Sequence, residues 1–471
     1  MTEPDGTRFH ARELYGSVIA VPLLQRMDAA AEAPQRVVID LNLAYPQGRE
    51  AAARAIHALV NEVADESVDE RRTAQLGQYV VASLSPEALL EVVRRDRAAE
   101  HRAIHRIWPD FTVKALINRS CATVKADAAR TAFAALGAGI TWAVVDSGID
   151  HAHPHFGHSL DVTLPVEHKD FTKNASPLTD EFGHGTHVAG IIAGQGSGTV
   201  VRAELDFGND VHYLPVQADR MTGIAPLAKL VSYKVLNEKG DGETSAIIAA
   251  LQDIQQVNGN GRDLKIQGVN LSVGYPFDPQ WFACGESPLC VEVTRLVKSG
   301  VVVVVAAGNT GYGYNQDIVK GAVAAGMDLT INDPGNAEAA ITVGSTHREM
   351  PHRYGVSYFS SKGPTGDGRA KPDLVAPGER ILSCAAGAIR GRIEAKSEVE
   401  PPVHYLEDSG TSMAAAHVSG AIAAFLSIRG EFIGRPEEVK RIFTGTATDL
   451  GRVPAFQGHG LLDLMRAIQS V

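Results

Sequence analysis

Four side chains of complementary chemistry stand at the ends of apolar segments. Asp146 closes TWAVVD, His184 lies at the start of a helical pattern in DEFGHGTHVAG, Asn309 follows VVVVVAAG, and Ser412 sits in SGTSMAAAHVSG, where an alanine-rich helix begins. Serine alone is a weak nucleophile. A histidine titrating near neutrality can take its proton, and a carboxylate fixes the imidazole tautomer and stabilises its charged form. An asparagine amide can steady an oxyanion. A helix start adds unpaired N–H groups and a dipole that favour negative charge beside Ser412.

Each residue also has a plainer reading. Ser412 could cap its helix, and Asp146 and Asn309 could be turn residues. His184 and His187, three apart, could be metal ligands, but no HExxH spacing accompanies them. All four types at strand or helix ends of one region favour nucleophilic chemistry over four separate structural roles. His187 and His417 each lie about one helical turn beyond a reactive candidate and are expected to be structural.

The elements that must position this set follow from the apolar pattern. TWAVVD, LVSYKVL, GVNLSVG, VVVVVAAG and AAITVGS are short, β-branched and apolar throughout, as strands between two helical layers must be. Helical stretches, Gly185 to Ala193, Thr244 to Gln256 and Cys290 to Lys298, alternate with them. The pattern predicts an α/β domain with a doubly wound, mainly parallel sheet and helices on both faces, whose site lies beyond the carboxyl ends of the strands. Two insert-like stretches, Gly194 to Met221 and Ile389 to Asp408, read as solvated loops. Before this domain, residues 36 to 108 read as strand, helix (Arg49 to Val63), strand, helix (Pro86 to Arg95, capped by Ser85) and strand, a small α+β unit with no chemical cluster of its own. The expected division is 1–117 and 118–471.

Bulk properties narrow the partners. The formal charge is −11, and residues 1 to 130, with 17 basic and 18 acidic side chains, account for only −1 of it. So negative a second region disfavours nucleic acid and anionic membrane. No signal-peptide core or membrane-spanning run is apparent, which predicts a cytoplasmic protein unless it is secreted by a non-classical route. Four cysteines agree with a reducing compartment, although Cys284 and Cys290 could close a small loop.

The segments VVDSGID, DEFGHGTHVAG, AAGN, YFSSKGP with KPDLVAPG, and GTSMAAAHVSG closely resemble the subtilisin-like serine proteases over about residues 125 to 465. The order acid, histidine, serine is the subtilisin order. The resemblance implies Ser412 as nucleophile, His184 as general base and then acid, Asp146 as orienting carboxylate and Asn309 as oxyanion donor beside the Ser412 N–H. It further implies that Ser272, Val273 and Gly274 form an edge to which an extended peptide or protein substrate adds as a strand, and that Ala306, Ala307 and Gly308 wall the pocket before the cut. The floor of that pocket is expected within Tyr312 to Asn336.

The resemblance implies no cofactor for the chemistry and leaves room for a structural calcium at a site the sequence does not locate. His155 stands where the family often has a calcium-binding aspartate, and imidazole suits that ion poorly. The cluster His151, His153, His155 and His158 is a weaker candidate for a transition metal. The N-terminal unit has the size and alternation of a family prodomain, which would act as the chain's own inhibitor and be cut off near residues 109 to 125. The alternatives are a retained N-terminal binding module and, for the whole chain, a non-catalytic peptide-binding scaffold with the protease fold.

Overall fold

A computed structural model describes residues 18–20, 23–24, 27, 33–63, 68, 79–109, 119–172, 176–205, 211–278, 284–317, 321–396 and 402–471. The chain divides into two compact units, Met1–Lys114 and Ala115–Val471. The expected boundary at 117/118, and most of the region expected to be cut, lie outside the described residues.

In the first unit, β1 (Gln35–Leu41) runs between β2 (Tyr79–Leu84) and β3 (Ile104–Pro109), antiparallel to both. Helices α1 (Arg49–Val63) and α2 (Pro86–Ala98) supply Ala52, Ile56, Val60, Leu89, Val92 and Val93 to a single core with Val37, Ile39, Val80 and Ile107. The Ser85 hydroxyl caps α2 by accepting from the Ala88 N–H at 3.1 Å, with Pro86 at the first helical position. Three strands with one buried face need two helices to cover them, and this unit has both.

The second unit is built on a seven-stranded, all-parallel sheet. Its strands are β4 (Thr141–Asp146), β5 (Lys169–Asp170), β8 (Lys229–Lys234), β9 (Gly268–Leu271), β10 (Val302–Ala306), β13 (Ile341–His347) and β14 (Leu374–Glu379), in the order β14-β13-β10-β9-β4-β8-β5. Period-two alternation explains why both faces are apolar. Trp142 and Val144 of β4, with Val302 and Val304 of β10, face one core; Ala143, Val145, Val303 and Val305 face the other. The second core is covered by α4 (Thr244–Val257) and α5 (Pro288–Lys298). The first holds α3 (His184–Ile192) and α7 (Thr411–Leu426), and every residue of α7 is buried. Alanine suits that position, because small side chains let a helix sit close to sheet and neighbours on all sides. The sheet order turns at β4, whose chain neighbours lead to one edge and whose other partner, β9, begins the return, so the carboxyl ends of β4, β9 and β10 open on one crevice.

Both stretches expected to be solvated loops contain regular elements instead. In the first, β6 (Gln195–Leu205) pairs antiparallel with β7 (Val211–Thr222), in a register that runs from Gln195↔Thr222 to Leu205↔Val211. The second stretch carries α6 (Gly387–Glu394) and β16 (Tyr405–Asp408); β16 pairs with β15 (Ile381–Cys384) and with β6 in a four-stranded sheet. Charge density misled here, because alternating strands hide one apolar face behind a polar one: Val201, Val403 and Leu406 are buried in a small core of their own. A further antiparallel pair, β11 (Tyr312–Asp317) with β12 (Gly321–Gly326), follows Asn309. Cys284 and Cys290 are free, buried thiols and close no loop.

Candidate active site

Asp146 is the last residue of β4 and has no solvent exposure, so its carboxylate must be bonded. Oδ1 accepts from the Ser147 N–H and contacts His184 Nδ1, both at 2.8 Å. That contact sets His184 as donor at Nδ1 and leaves Nε2 for chemistry. Burial lowers the pKa of the imidazole. The charge and hydrogen bond of Asp146, with the nearby charges of Asp408 and Asp180, outweigh it and raise the value to about 9.

The loop before α3 is held from several directions. Asp180, 5% exposed, accepts from the Gly183 N–H, from the N–H and hydroxyl of Thr186, and from the Ser147 hydroxyl, at 2.7–2.8 Å. Ser147 Oγ in turn accepts from the Gly185 N–H at 2.9 Å. Lys234, buried at the end of β8, donates to the Thr179 carbonyl at 3.0 Å and pairs with Glu181. Gly185 must be glycine, since a Cβ there would lie 2.3 Å from the Gly148 carbonyl oxygen. These contacts fix the register of His184 against Asp146 more tightly than one hydrogen bond could.

Ser412 is the second residue of α7, 7% exposed. Its hydroxyl donates to the Ser272 carbonyl oxygen at 3.3 Å, and the Ser272 hydroxyl donates to the Ser412 carbonyl at 3.2 Å. Among the described residues, no hydrogen bond joins Ser412 to His184. Asn309 Oδ1 accepts from both the N–H and the hydroxyl of Thr411, at 2.9 and 3.0 Å, so both bonds fall on the oxygen and the amide N–H₂ is left to an acceptor beside the start of α7. Thr411 Oγ1 also accepts from the Gly308 N–H at 3.1 Å, tying the end of β10 to the helix.

The residues expected as substrate edge and those expected as pocket wall differ in their backbone bonding. Ser272, Val273 and Gly274 continue β9 past its last ladder residue, and among the described residues the backbone groups of Val273 and Gly274 make no hydrogen bond. The Ala307 N–H and carbonyl are already used by Val343 and Asn332, at 2.9 Å each, so Ala307 offers no pairing edge of its own. Its neighbourhood is crowded: a Cβ on Gly308 (φ +109°) would come within 2.6 Å of Asn332 Cγ.

His417, His187 and His155 are buried scaffold residues. His417 Nδ1 contacts the Met413 carbonyl at 2.8 Å, and burial lowers its pKa to about 4; His187 Nε2 contacts the Leu406 carbonyl at 3.3 Å. His155 is buried against the Gly190 carbonyl and Tyr405, and burial lowers its pKa to about 3. Among the described residues, no group of three His, Cys, Asp or Glu side chains is placed to hold a metal ion, and no helix is long and apolar enough to cross a membrane.

Sequence reading missed three contributors. The sequence assigns no role to Thr411 or Asp180 and places Asp408 only at the end of a charged insert. Only the position of Thr411 inside the serine motif carried a signal.

The Subtilase family model matches residues 137–460. Serine protease AprX of Bacillus subtilis is 28% identical over 396 residues, 82% of this chain and 78% of that protein; this share exceeds what the second unit alone provides. Subtilisin DY of Bacillus licheniformis is 30% identical over 71% of this chain and 92% of that protein. Pyrolysin of Pyrococcus furiosus is 32% identical over 61% of this chain and only 21% of that protein.

Proposed function

The chain belongs to the subtilase family and is a subtilisin-like serine endopeptidase, and from that premise we propose that it cuts peptide bonds through an acyl-enzyme on Ser412. The observation that carries the assignment is the 2.8 Å contact of Asp146 with His184 Nδ1, in a crevice where the Ser412 helix starts beside a braced Asn309. Ser412 Oγ attacks the scissile carbonyl carbon as its proton passes to His184 Nε2. The resulting oxyanion is held by the Ser412 N–H and the Asn309 amide. The imidazolium then protonates the departing amine, the C–N bond breaks, and an ester remains. Water attacks that ester with His184 again as base, releasing the carboxylate and restoring Ser412. No cofactor enters any step.

The substrate binds extended. The unpaired backbone of Val273 and Gly274 supports pairing with an added strand, while Ala306, Ala307 and Gly308 wall the side chain before the cut. We assign residues 1–117 as a prodomain that inhibits the mature enzyme. Support comes from the compact first unit with its own core, and from the extent of the AprX match. Purified wild type should hydrolyse unstructured peptides, and a folded Ser412→Ala variant should not; equal hydrolysis by both would reject the mechanism.

A further inference from the structure

The segment YFSSKGP has no part in the steps above, yet it lies along the loop that presents Asn309. The Ser361 N–H donates to the Gly308 carbonyl at 2.9 Å, and the Thr310 N–H donates to Ser361 Oγ at 3.2 Å. One residue on, the Gly311 N–H donates to the Phe359 carbonyl at 3.0 Å. Asn309 is thus held through its backbone neighbours on both sides, while Thr411 holds its amide oxygen. The two segments touch so closely that a Cβ on Gly311 would overlap the Ser360 carbonyl oxygen. Residues 359–362 form a strap across the back of the loop.

The last residue of the strap is a buried cation. Lys362 is 6% exposed, and its backbone is fixed by Thr330, whose hydroxyl accepts from the Lys362 N–H at 2.9 Å and whose N–H donates to the Lys362 carbonyl at 3.0 Å. Its ammonium donates to the Gly311 carbonyl at 2.8 Å, has a longer contact of 3.5 Å to the Tyr358 carbonyl, and lies 4.8 Å from the centre of the Phe456 ring. Among the described residues it makes no ion pair, although the charge of Asp328 acts on it. Burying an ammonium without a carboxylate against it is costly, and carbonyl oxygens with an aromatic face offset only part of that cost. A methionine of similar length would fill the same space without it. What the ammonium adds is a charge-assisted bond to a carbonyl two residues from Asn309.

We propose that Ser361 and Lys362 are positioning residues for the oxyanion asparagine: Ser361 locks the backbone on both sides of Asn309, and the Lys362 ammonium fixes the Gly311 carbonyl, so that the Asn309 amide stays aimed at the developing oxyanion. The assignment rests on the protease reading above, in which that amide donates to the oxyanion. Both residues act through Asn309 and need no contact with substrate. A donor aimed at charge that appears only in the transition state loses its value with small displacements, so the effect falls on kcat and spares KM.

The test is a double-mutant cycle on the full chain, with hydrolysis of one unstructured peptide as readout. Lys362→Met should lower kcat about tenfold and Ser361→Ala about threefold, with KM changed by less than about twofold. In the Asn309→Ala background each loss should shrink to less than about twofold, because a residue that acts through the amide then has nothing left to position. A residue that merely stabilises the fold would lower Tm and give the same fractional loss of kcat in either background. An undiminished loss beside Asn309→Ala, or no loss in the wild-type background, overturns the assignment of the residue concerned while hydrolysis that depends on Ser412 stands. Should Lys362→Met not fold, the Ser361→Ala cycle decides the strap by the same criterion. Hydrolysis that survives Ser412→Ala would reject the protease reading, and this proposal with it.

Discussion

Ser412 Oγ donates to the Ser272 carbonyl oxygen, 3.3 Å away, while His184 is bonded on its other side to Asp146. The two halves of the proposed relay are thus each engaged, but not with one another. With its pKa raised to about 9, His184 carries a proton on both nitrogens at neutral pH and has no lone pair to accept the serine proton. Loss of the Nε2 proton creates the acceptor that attack requires.

From this follows the pH dependence. The free-enzyme profile of kcat/KM should rise with pH, with a midpoint above the ordinary histidine value of about 6.5 and toward about 9. Asp146→Asn should lower kcat about 10⁴-fold and move the midpoint down, because the carboxylate no longer favours the imidazolium. Initial rates across pH 5–10 on one peptide measure both.

The same ionisation bears on stability. A histidine whose pKa is raised on folding contributes stability that is fully present below about pH 6.5 and lost as pH rises through about 9. In the Ser412→Ala background, which removes self-digestion, Tm should fall across that window, and adding His184→Gln should flatten the fall. Scanning calorimetry at fixed ionic strength reads the difference.

Asn309→Ala should reduce kcat by about 10²–10³ with little change in KM, the size of loss seen when a subtilisin's oxyanion asparagine is removed. Thr411→Val, which deletes the hydroxyl shared by Asn309 Oδ1 and the Gly308 N–H, should give a smaller loss in kcat, and Thr411→Ser should restore it. Steady-state kinetics on one peptide series separates orientation of the amide from its presence.

Much of this was legible in the chain. The catalytic candidates are short-range signals: an acid ending a β-branched run, a histidine among glycines, a serine opening an alanine helix. The parallel sheet was legible because strands covered on both faces lose the polar alternation. The supports were not. Asp180 and Lys234 act through partners brought together only by the fold, and nothing local separates a brace from a solvated charge. Helix α6 and the long β6–β7 pair were read as loops because charge on one face masked the buried other.

A buried ion cluster far from the chemistry makes a separate stability prediction. Asp373 lies between Lys371 and Lys440, at 2.6 and 2.9 Å, and also accepts from the Thr342 N–H at 2.7 Å. Burial opposes ionisation of its carboxyl, but the two ammonium groups hold its pKa below the usual range. Asp373→Ala leaves Lys371 buried without its counterion and should cost about 3–5 kcal/mol. Urea unfolding in the Ser412→Ala background measures it. The advantage of Asp373 should persist above about pH 4 and vanish only as pH falls below the carboxylate range.

Mass spectrometry after treatment with a fluorophosphonate reads the central assignment most directly. One adduct per folded chain is expected, on the peptide holding Ser412, formed faster as pH rises, absent from Ser412→Ala and greatly slowed in His184→Ala. Adduct on a different serine, or undiminished labelling of either variant, would contradict it.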